Sequence, residues 1–323
     1  MGMKKIVVLG AGGFIGSHLV KRLKKEGHFV IGADLKYPDF SETVADVFLI
    51  GDLRDYSFVN HVIENNTDEL YQLAADMGGA GYIFTGLNDA NVMHNSAQIN
   101  LNVAKIAVDK NVKALFYSSS ACMYPEYNQL DPNNPKCAED TAYPASPDSE
   151  YGWEKLFSER LYLSFKRNYG LNVKIARFHN IYGEEGAWNN GKEKAPAALC
   201  RKVAQANEVG KIEIWGDGQQ TRSFLYIEDC LDAVIKLTRS QFSGPYNIGS
   251  EEMISINDFA RLIADFAQKK IEIVNIDGPI GVRGRCSDNK LIIKDLNWEP
   301  SVNLNKGISH IYKWIEKQTS TSN

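Results

Sequence analysis

The chain has 323 residues, of which 44 % are hydrophobic and 24 % charged, with a formal net charge of −4. This is ordinary globular usage and excludes a disordered, collagenous or coiled-coil chain. The mild acidity argues against bulk binding to nucleic acid or an anionic membrane, though not against a local basic pocket for phosphates.

Lys5 to Gly10 (KIVVLG) is an apolar, β-branched run with almost no alternation, the pattern of a strand buried on both faces of a parallel sheet. Phe14 to Lys25 carries helical spacing, with Gly27 placed to end the helix. Phe29 to Ala33 and Val47 to Ile50 read as strands, Tyr56 to Glu64 as a helix and Glu69 to Leu73 as a strand. A long helix is predicted around Ala90 to Asp109, then a strand at Ala114 to Tyr117 and a Pro-rich loop through Pro147. Tyr151 to Asn168 reads as a helix and Val173 to Ala176 as a strand. This alternation predicts right-handed crossovers and an α/β fold with a doubly wound parallel sheet. After Arg177 the rhythm becomes irregular, which places a substrate-binding lobe there. Residues 222–240 are expected to return to the first unit, so residues 1–177 and 178–323 interleave.

No stretch of about 18 apolar residues exists, and the N-terminus runs directly into a glycine-rich turn, unlike a signal peptide. The five cysteines (Cys122, Cys137, Cys200, Cys230, Cys286) are odd in number and without CxxC spacing, and the six histidines show no ligand spacing. Reduced thiols in a cytoplasmic protein, with no membrane, nucleic-acid or metal partner, are expected.

Gly10-Ala11-Gly12-Gly13-Phe14-Ile15-Gly16 lies between a predicted strand and helix. GxGxxG fails at Ile15, but GxxGxxG fits through Gly10, Gly13 and Gly16. One glycine allows the tight turn, one lets backbone approach a pyrophosphate, and one lets helix and strand pack closely. The helix N-terminus offers unpaired N–H groups to the anion. Asp34 ends the second strand, where a carboxylate accepts from an adenosine ribose 2′-hydroxyl and repels a 2′-phosphate. NAD is therefore favoured over NADP, although Lys36 weakens the preference. Asp52, followed by Leu53, ends the third strand and could meet the adenine edge.

Tyr151 and Lys155 stand at i and i+4, on one helical face. An ammonium beside a phenol favours phenolate, a base for a carbinol proton while a nicotinamide takes the hydride. Ser120 follows a strand at the carboxyl edge of the sheet, where it can hold the substrate oxygen. Read alone, Tyr151 and Lys155 could equally be surface neighbours.

GxxGxxG, Ala74-Ala75-Asp76, Ser118-Ser119-Ser120-Ala121 and Tyr151…Lys155 together resemble the extended short-chain dehydrogenases/reductases over nearly the whole length. The resemblance implies a Rossmann-type sheet with a smaller mixed α/β lobe, a tightly bound and recycled NAD, and a nucleotide-sugar substrate. Cofactor contacts would fall on Gly10, Gly13, Phe14, Ile15, Gly16, Asp34, Asp52, Leu53, Ala74, Tyr151 and Lys155. A homodimer pairing through the helices near residues 90–109 and 151–168 is implied too. The family's asparagine ahead of the long helix has two candidates, Asn95 and Ser96.

In this family the segment after the serine separates the chemistries, and 4,6-dehydratases carry Thr-Asp-Glu there. Here it is Ser120-Ala121-Cys122. On an extended segment Cys122 faces the same side as Ser120, and beside a cation its thiolate can serve as a base for a carbon acid. A space-filling buried cysteine is the alternative. With Cys122, the motifs Asp76–Gly81, Arg177–Gly183, Glu193-Lys194-Ala195-Pro196, Trp215–Phe224 and Val282–Arg285 resemble the branch that inverts GDP-hexoses at C3 and C5. That resemblance implies Tyr151, Lys155 and Ser120 for transient C4 oxidation, and Cys122 and Lys194 as base and acid on opposite faces. Substrate contacts would come from Gly78, Ser120, Ala121, Cys122, Asn180, Glu193, Lys194, Ala195, Lys202, Gln220 and Thr221. Arg222 and Arg285 would clamp the pyrophosphate. A related GDP-sugar such as a heptose, a nucleotide-sugar 4-epimerase or dehydratase, and a non-catalytic NAD sensor are the alternatives. Retention of Ser120, Tyr151 and Lys155 argues against the sensor.

Overall fold

A computed structural model of the protein describes residues 2–321. In chain order the first unit comprises β1 (Lys5–Leu9), α1 (Phe14–Lys25), β2 (Phe29–Asp34), β3 (Val47–Ile50), α2 (Tyr56–Val62), β4 (Glu69–Gln72), α3 (Ala80–Ile83), α4 (Asp89–Asp109), β5 (Leu115–Ser120), α5 (Glu150–Tyr169) and β6 (Val173–Phe178). There follow β7 (Ile181–Tyr182), α6 (Ala195–Gln205), β8 (Val209–Trp215), β9 (Thr221–Ser223), β10 (Leu225–Tyr226), α7 (Ile227–Thr238) and β11 (Tyr246–Ile248). The chain continues through β12 (Met253–Ser255), α8 (Ile256–Phe266), β13 (Lys270–Ile276), β14 (Gly284–Arg285), α9 (Lys290–Leu296) and α10 (Leu304–Thr321).

Seven parallel strands form the main sheet in the order β11-β6-β5-β4-β1-β2-β3. The absence of alternation in β1 has a direct cause. Ile6 and Val8 join the core with Leu19, Val20 and Leu23 of α1 and the inner face of α7. Val7 and Leu9 join the opposite core with Val103 and Ala107 of α4 and Tyr162 of α5. Both faces are covered, so both sets of side chains must be apolar. The order reverses between β1 and β4, and this switch point opens a crevice at the strands' carboxyl ends.

The seventh strand lies outside the predicted elements. Tyr246–Ile248 is too short for a periodic signal, yet it pairs in parallel with Ala176–Phe178 of β6. The lobe is built from the parallel pair β8–β13, the three-stranded group β12-β9-β14, and helices α6, α8 and α10 packed on one another. Among the described residues no helix is long and apolar enough to cross a membrane.

Candidate active site

The glycine turn sits at the switch point. A Cβ on Gly10 would lie 2.8 Å from the amide nitrogen of Ala74, so the ends of β1 and β4 touch only because residue 10 is glycine. Gly10 also adopts φ +84°, in the left-handed region. A Cβ on Gly16 would lie 2.0 Å from the Gly10 carbonyl oxygen, which fixes α1 against β1. Gly13 is different, because its nearest neighbour would be 3.4 Å away. It is the N-cap of α1, and no side chain caps the helix there. The first N–H groups of α1, at Phe14 and Ile15, thus have no side-chain cap, a cradle that fits the pyrophosphate of a dinucleotide. Gly12, outside the GxxGxxG spacing, is equally constrained: its Cβ would lie 2.1 Å from the Lys36 carbonyl oxygen.

Asp34 accepts hydrogen bonds from the N–H groups of Gly12 (2.9 Å) and Leu35 (2.6 Å), so it is held at the crevice wall. Burial nevertheless raises its pKa. The Asp52 carboxylate, expected to be available to the adenine edge, is instead forked by Arg54, with Nε–O distances of 2.9 and 3.0 Å. Leu53 beside it is buried. Arg54 also donates to Asn95 (2.8 Å), which donates to Asp76 (2.9 Å). Ser96 accepts from the Asp76 N–H (3.0 Å), so Asn95 and Ser96 both serve Asp76.

Tyr151 and Lys155 lie in the first turns of α5, whose N-cap Ser149 accepts from the Gly152 N–H. Gly152 is a site residue the sequence motifs do not reveal. A Cβ there would lie 2.2 Å from the Cys122 carbonyl oxygen, so glycine lets α5 press directly on the Cys122 turn. Lys155 is buried, donates to the Ser118 carbonyl (3.0 Å) and sits 5.5 Å from the Tyr151 ring centroid. Burial pushes the Lys155 ammonium below its ordinary value, opposed by Glu154 and Cys122. Burial likewise pushes the Tyr151 phenol well up, assisted by Cys122 and opposed by a hydrogen bond to Ser120. The expected fall in the Tyr151 pKa is thus outweighed by desolvation in the protein alone.

Cys122 corrects a premise. Ala121–Met123 is a single 3₁₀ turn rather than an extended segment, and the Cys122 N–H donates to Ser120 Oγ (3.2 Å). Alternation therefore does not aim the thiol. The turn does, and it brings Cys122 into electrostatic range of Tyr151, Lys155, Lys194, Arg222 and Arg285. Ala121 is buried behind it.

Lys194 is the N-cap of α6; its carbonyl accepts from the Ala198 N–H (3.0 Å), while its ammonium makes no hydrogen bond among the described residues. Burial lowers its pKa, while Cys122 and Cys230 raise it. A lysine poised in this way can exchange protons near neutrality more readily than a solvated one. Glu193 is engaged elsewhere, accepting from Arg201 (2.9 Å) and the Gly191 N–H (2.6 Å), so Arg201 anchors the loop that presents Lys194. The Glu193 carbonyl would lie 2.2 Å from a Cβ on Gly79, and Gly78 packs on Tyr82. Ala195 begins α6, and Lys202 on it donates outward to the Glu213 carbonyl (2.5 Å).

Arg222 donates only to carbonyls, those of Thr221 (2.7 Å), Ile280 (2.9 Å) and Val282 (2.8 Å). Burial and the neighbouring Arg285 bring its pKa down to about 10. Asp148 acts on it only at a distance and no carboxylate hydrogen-bonds to it, so an arriving phosphate could pair with it directly. Arg285 pairs in β14 with Arg222 of β9, but its guanidinium turns to Cys122 Sγ (3.0 Å), Gln129 (2.6 Å) and Asp148 (3.0 Å). Gln129 and Asp148 carry no motif that marks them. Gln220 is buried and donates to the Trp215 carbonyl (3.0 Å), leaving its Oε1 unpaired. Thr221 donates to the Pro132 carbonyl. Asn180, at φ 46°, donates to the Ser223 carbonyl (3.0 Å).

A doubly wound sheet, an uncapped glycine cradle at its switch point and a Ser–Tyr–Lys set at the adjoining strand end define a dinucleotide-dependent enzyme equipped to take a proton from a hydroxyl as hydride leaves its carbon. Residues 6–249 match the NAD dependent epimerase/dehydratase family, and the chain belongs to it. Within that family it is similar to GDP-mannose 3,5-epimerase of Arabidopsis thaliana, 45 % identical over 316 residues covering 97 % of this chain and 82 % of that one. GDP-mannose 3,5-epimerase 1 of Oryza sativa subsp. indica is 44 % identical with the same coverage. The structure resembles UDP-glucose 4-epimerase of Thermotoga maritima with UDP-glucose, at TM-score 0.85 and 24 % identity, covering 97 % of this chain and 99 % of that one.

Proposed function

We infer that this protein epimerises a GDP-hexose, with GDP-mannose as the substrate, inverting C3 and C5 through a transient 4-ketone. The convergence of Tyr151, Lys194 and Arg285 on the Cys122 thiol carries this reading, supported by the likeness to relatives named for that reaction. When bound, NAD supplies a reversible hydride acceptor at the sugar C4. Ser120 holds the C4 oxygen while Tyr151 takes its proton, and the buried Lys155 ammonium favours the resulting phenolate. The ketone acidifies the C–H bonds at C3 and C5, because each carbanion is an enolate. Cys122 removes a proton from one face and Lys194 delivers one to the other. Returning the Tyr151 proton to oxygen then closes the cycle. Arg222 meets the pyrophosphate, with the two remaining N–H bonds of Arg285 available beside it. Acting as a base requires Cys122 as a free thiol, which a reducing cytoplasm maintains.

We also propose a homodimer. Helices α4 and α5 pack together, and their outer face exposes Leu101 (42 %), Trp153 (41 %) and Phe157 (45 %), an apolar strip a second copy would cover.

Incubation with GDP-mannose in D₂O is expected to place deuterium at both C3 and C5. No exchange at either carbon would overturn the epimerase reading, and exchange at C5 with loss of the 6-hydroxyl would mark a dehydratase. Cys122→Ser is expected to retain NAD and C4 oxidation while losing carbon exchange.

A further inference from the structure

We propose that Arg285 is the counter-ion of the Cys122 sulfur, fixed so that it steadies the anionic sulfur that attacks the carbon acid. This rests on the epimerase reading and gives Arg285 a task other than gripping phosphate. Its NH1 donates to Cys122 Sγ at 3.0 Å. The other two sides of the guanidinium are immobilised, Nε by Gln129 Oε1 (2.6 Å) and NH2 by Asp148 (3.0 Å). The Gln129 amide is itself locked, because its NH₂ donates to the carbonyls of Tyr124 (3.1 Å) and Pro125 (3.2 Å) and its oxygen must face Arg285. Strand β14 cannot drift, since a Cβ on Gly284 would lie 2.6 Å from the Asp131 carbonyl. Nε and NH2 are therefore both anchored, and NH1 is held against the sulfur.

Charge points the same way. Around the sulfur stand Lys155 and Tyr151 from α5, Lys194 from the start of α6, Arg222 from β9, Arg285 from β14, and Asp148 from the loop before α5. Four cations stand there; Asp148 pairs with Arg285, and Glu154 and Glu159 act on Lys155. A hydrogen bond from a cation to an anion is about twice as strong as a neutral one, so the Arg285 contact is the one that gains most when the sulfur carries charge during proton transfer. Arg285 itself exchanges no proton. In the step it supports, the C–H bond breaks, an S–H bond forms, and the C–H electron pair moves to the ketone oxygen as enolate. The guanidinium holds the sulfur before the transfer and recaptures it after the thiol proton leaves.

The test is alkylation of Cys122 by iodoacetamide in the NAD-loaded enzyme without sugar, read by mass on the Cys122 peptide. Arg285→Gln is expected to slow alkylation about tenfold at neutral pH, with the gap closing in alkali, while Arg285→Lys recovers part of the rate. Asp148→Asn separates charge from scaffolding. It removes the competing anion but keeps the shape, so Cys122 should react no more slowly than in the wild type. A merely structural Arg285 would make both variants slow. Equal Cys122 rates in wild type and Arg285→Gln, or an Asp148→Asn variant as slow as Arg285→Gln, would overturn the proposal. Deuterium incorporation by the wild type tests the epimerase reading separately, and either result can fail alone.

Discussion

The Gly10–Gly16 turn and the pocket around Cys122 both face the crevice above the sheet, yet they are built from opposite materials. The turn is made of backbone. Its contacts are close approaches at Gly10, Gly12 and Gly16, and the groups it offers an anion are the uncapped N–H bonds at the start of α1. The pocket is made of side chains whose charges are only partly paired, with the Lys194 ammonium making no hydrogen bond among the described residues and Arg222 held by carbonyls alone. A backbone site tolerates no added atom but is indifferent to protonation. A side-chain site tolerates changes of shape better than changes of charge. Substitutions should therefore separate the two regions by what they damage.

The largest effect is expected at Tyr151. Tyr151→Phe removes the group that takes the C4 proton, and turnover should fall roughly a thousandfold. Carbon exchange from D₂O should fall with it, because no ketone forms to acidify C3 and C5. The phenol makes few other contacts, so melting temperature and NAD content should remain near wild type. A large loss of stability here would blur the distinction between the regions.

Gly16→Ala should do the reverse. The new methyl meets the Gly10 carbonyl at 2.0 Å with backbone on both sides, and a cost of about 3 kcal/mol is expected from such overpacking. A thermal melt should show it directly, together with weakened NAD retention. An unchanged melting temperature would show that α1 can shift, and the turn would lose its claim to rigidity.

The same contrast explains what could be read from the sequence. Strand β1, the glycine spacing and the Tyr151–Lys155 pair are local: neighbours along the chain are neighbours in space, and periodicity reports them. The pocket is assembled from Ser120, Lys194, Arg222 and Arg285, which lie far apart in sequence and meet only through β5, α6, β9 and β14. Resemblance supplied their names, but not their aim. Cys122 reaches the site on a 3₁₀ turn, against the extended segment expected, and Arg285 points at sulfur. Gly152, Gln129 and Asp148 give no pattern, because their value lies in one long-range contact each. β11 was invisible for a related reason, since three residues cannot show a period.

Arg222→Met sharpens the comparison from the pocket side. Losing one charge-assisted contact should raise KM for the GDP-sugar about tenfold with little change in kcat. Stability should fall only in part, because removing a cation that burial and Arg285 bring down to about 10 offsets some of the cost of three carbonyls losing a donor. A fall in kcat equal to the rise in KM would place Arg222 at the reacting carbons instead.

The smallest effect belongs to the far end of the sheet, where charge acts on stability alone. Glu69 of β4 is buried and accepts from Arg239 (2.9 Å), with Lys4 and Tyr71 also bound to it. Burial raises its pKa, but Arg239, Lys4 and Tyr71 together outweigh burial and hold the carboxyl below 4.5. A carboxyl depressed in the folded state stabilises above its unfolded pKa, and that contribution disappears as pH falls through the folded value. Glu26, which also pairs with Arg239 (2.8 Å), shifts in the same direction. Arg239→Gln should thus lower the melting temperature most at neutral pH, and the difference from wild type should shrink as pH falls below 4.5. A gap that stays constant into acid would mean that Arg239 stabilises by packing, and that even this charged corner behaves like the turn.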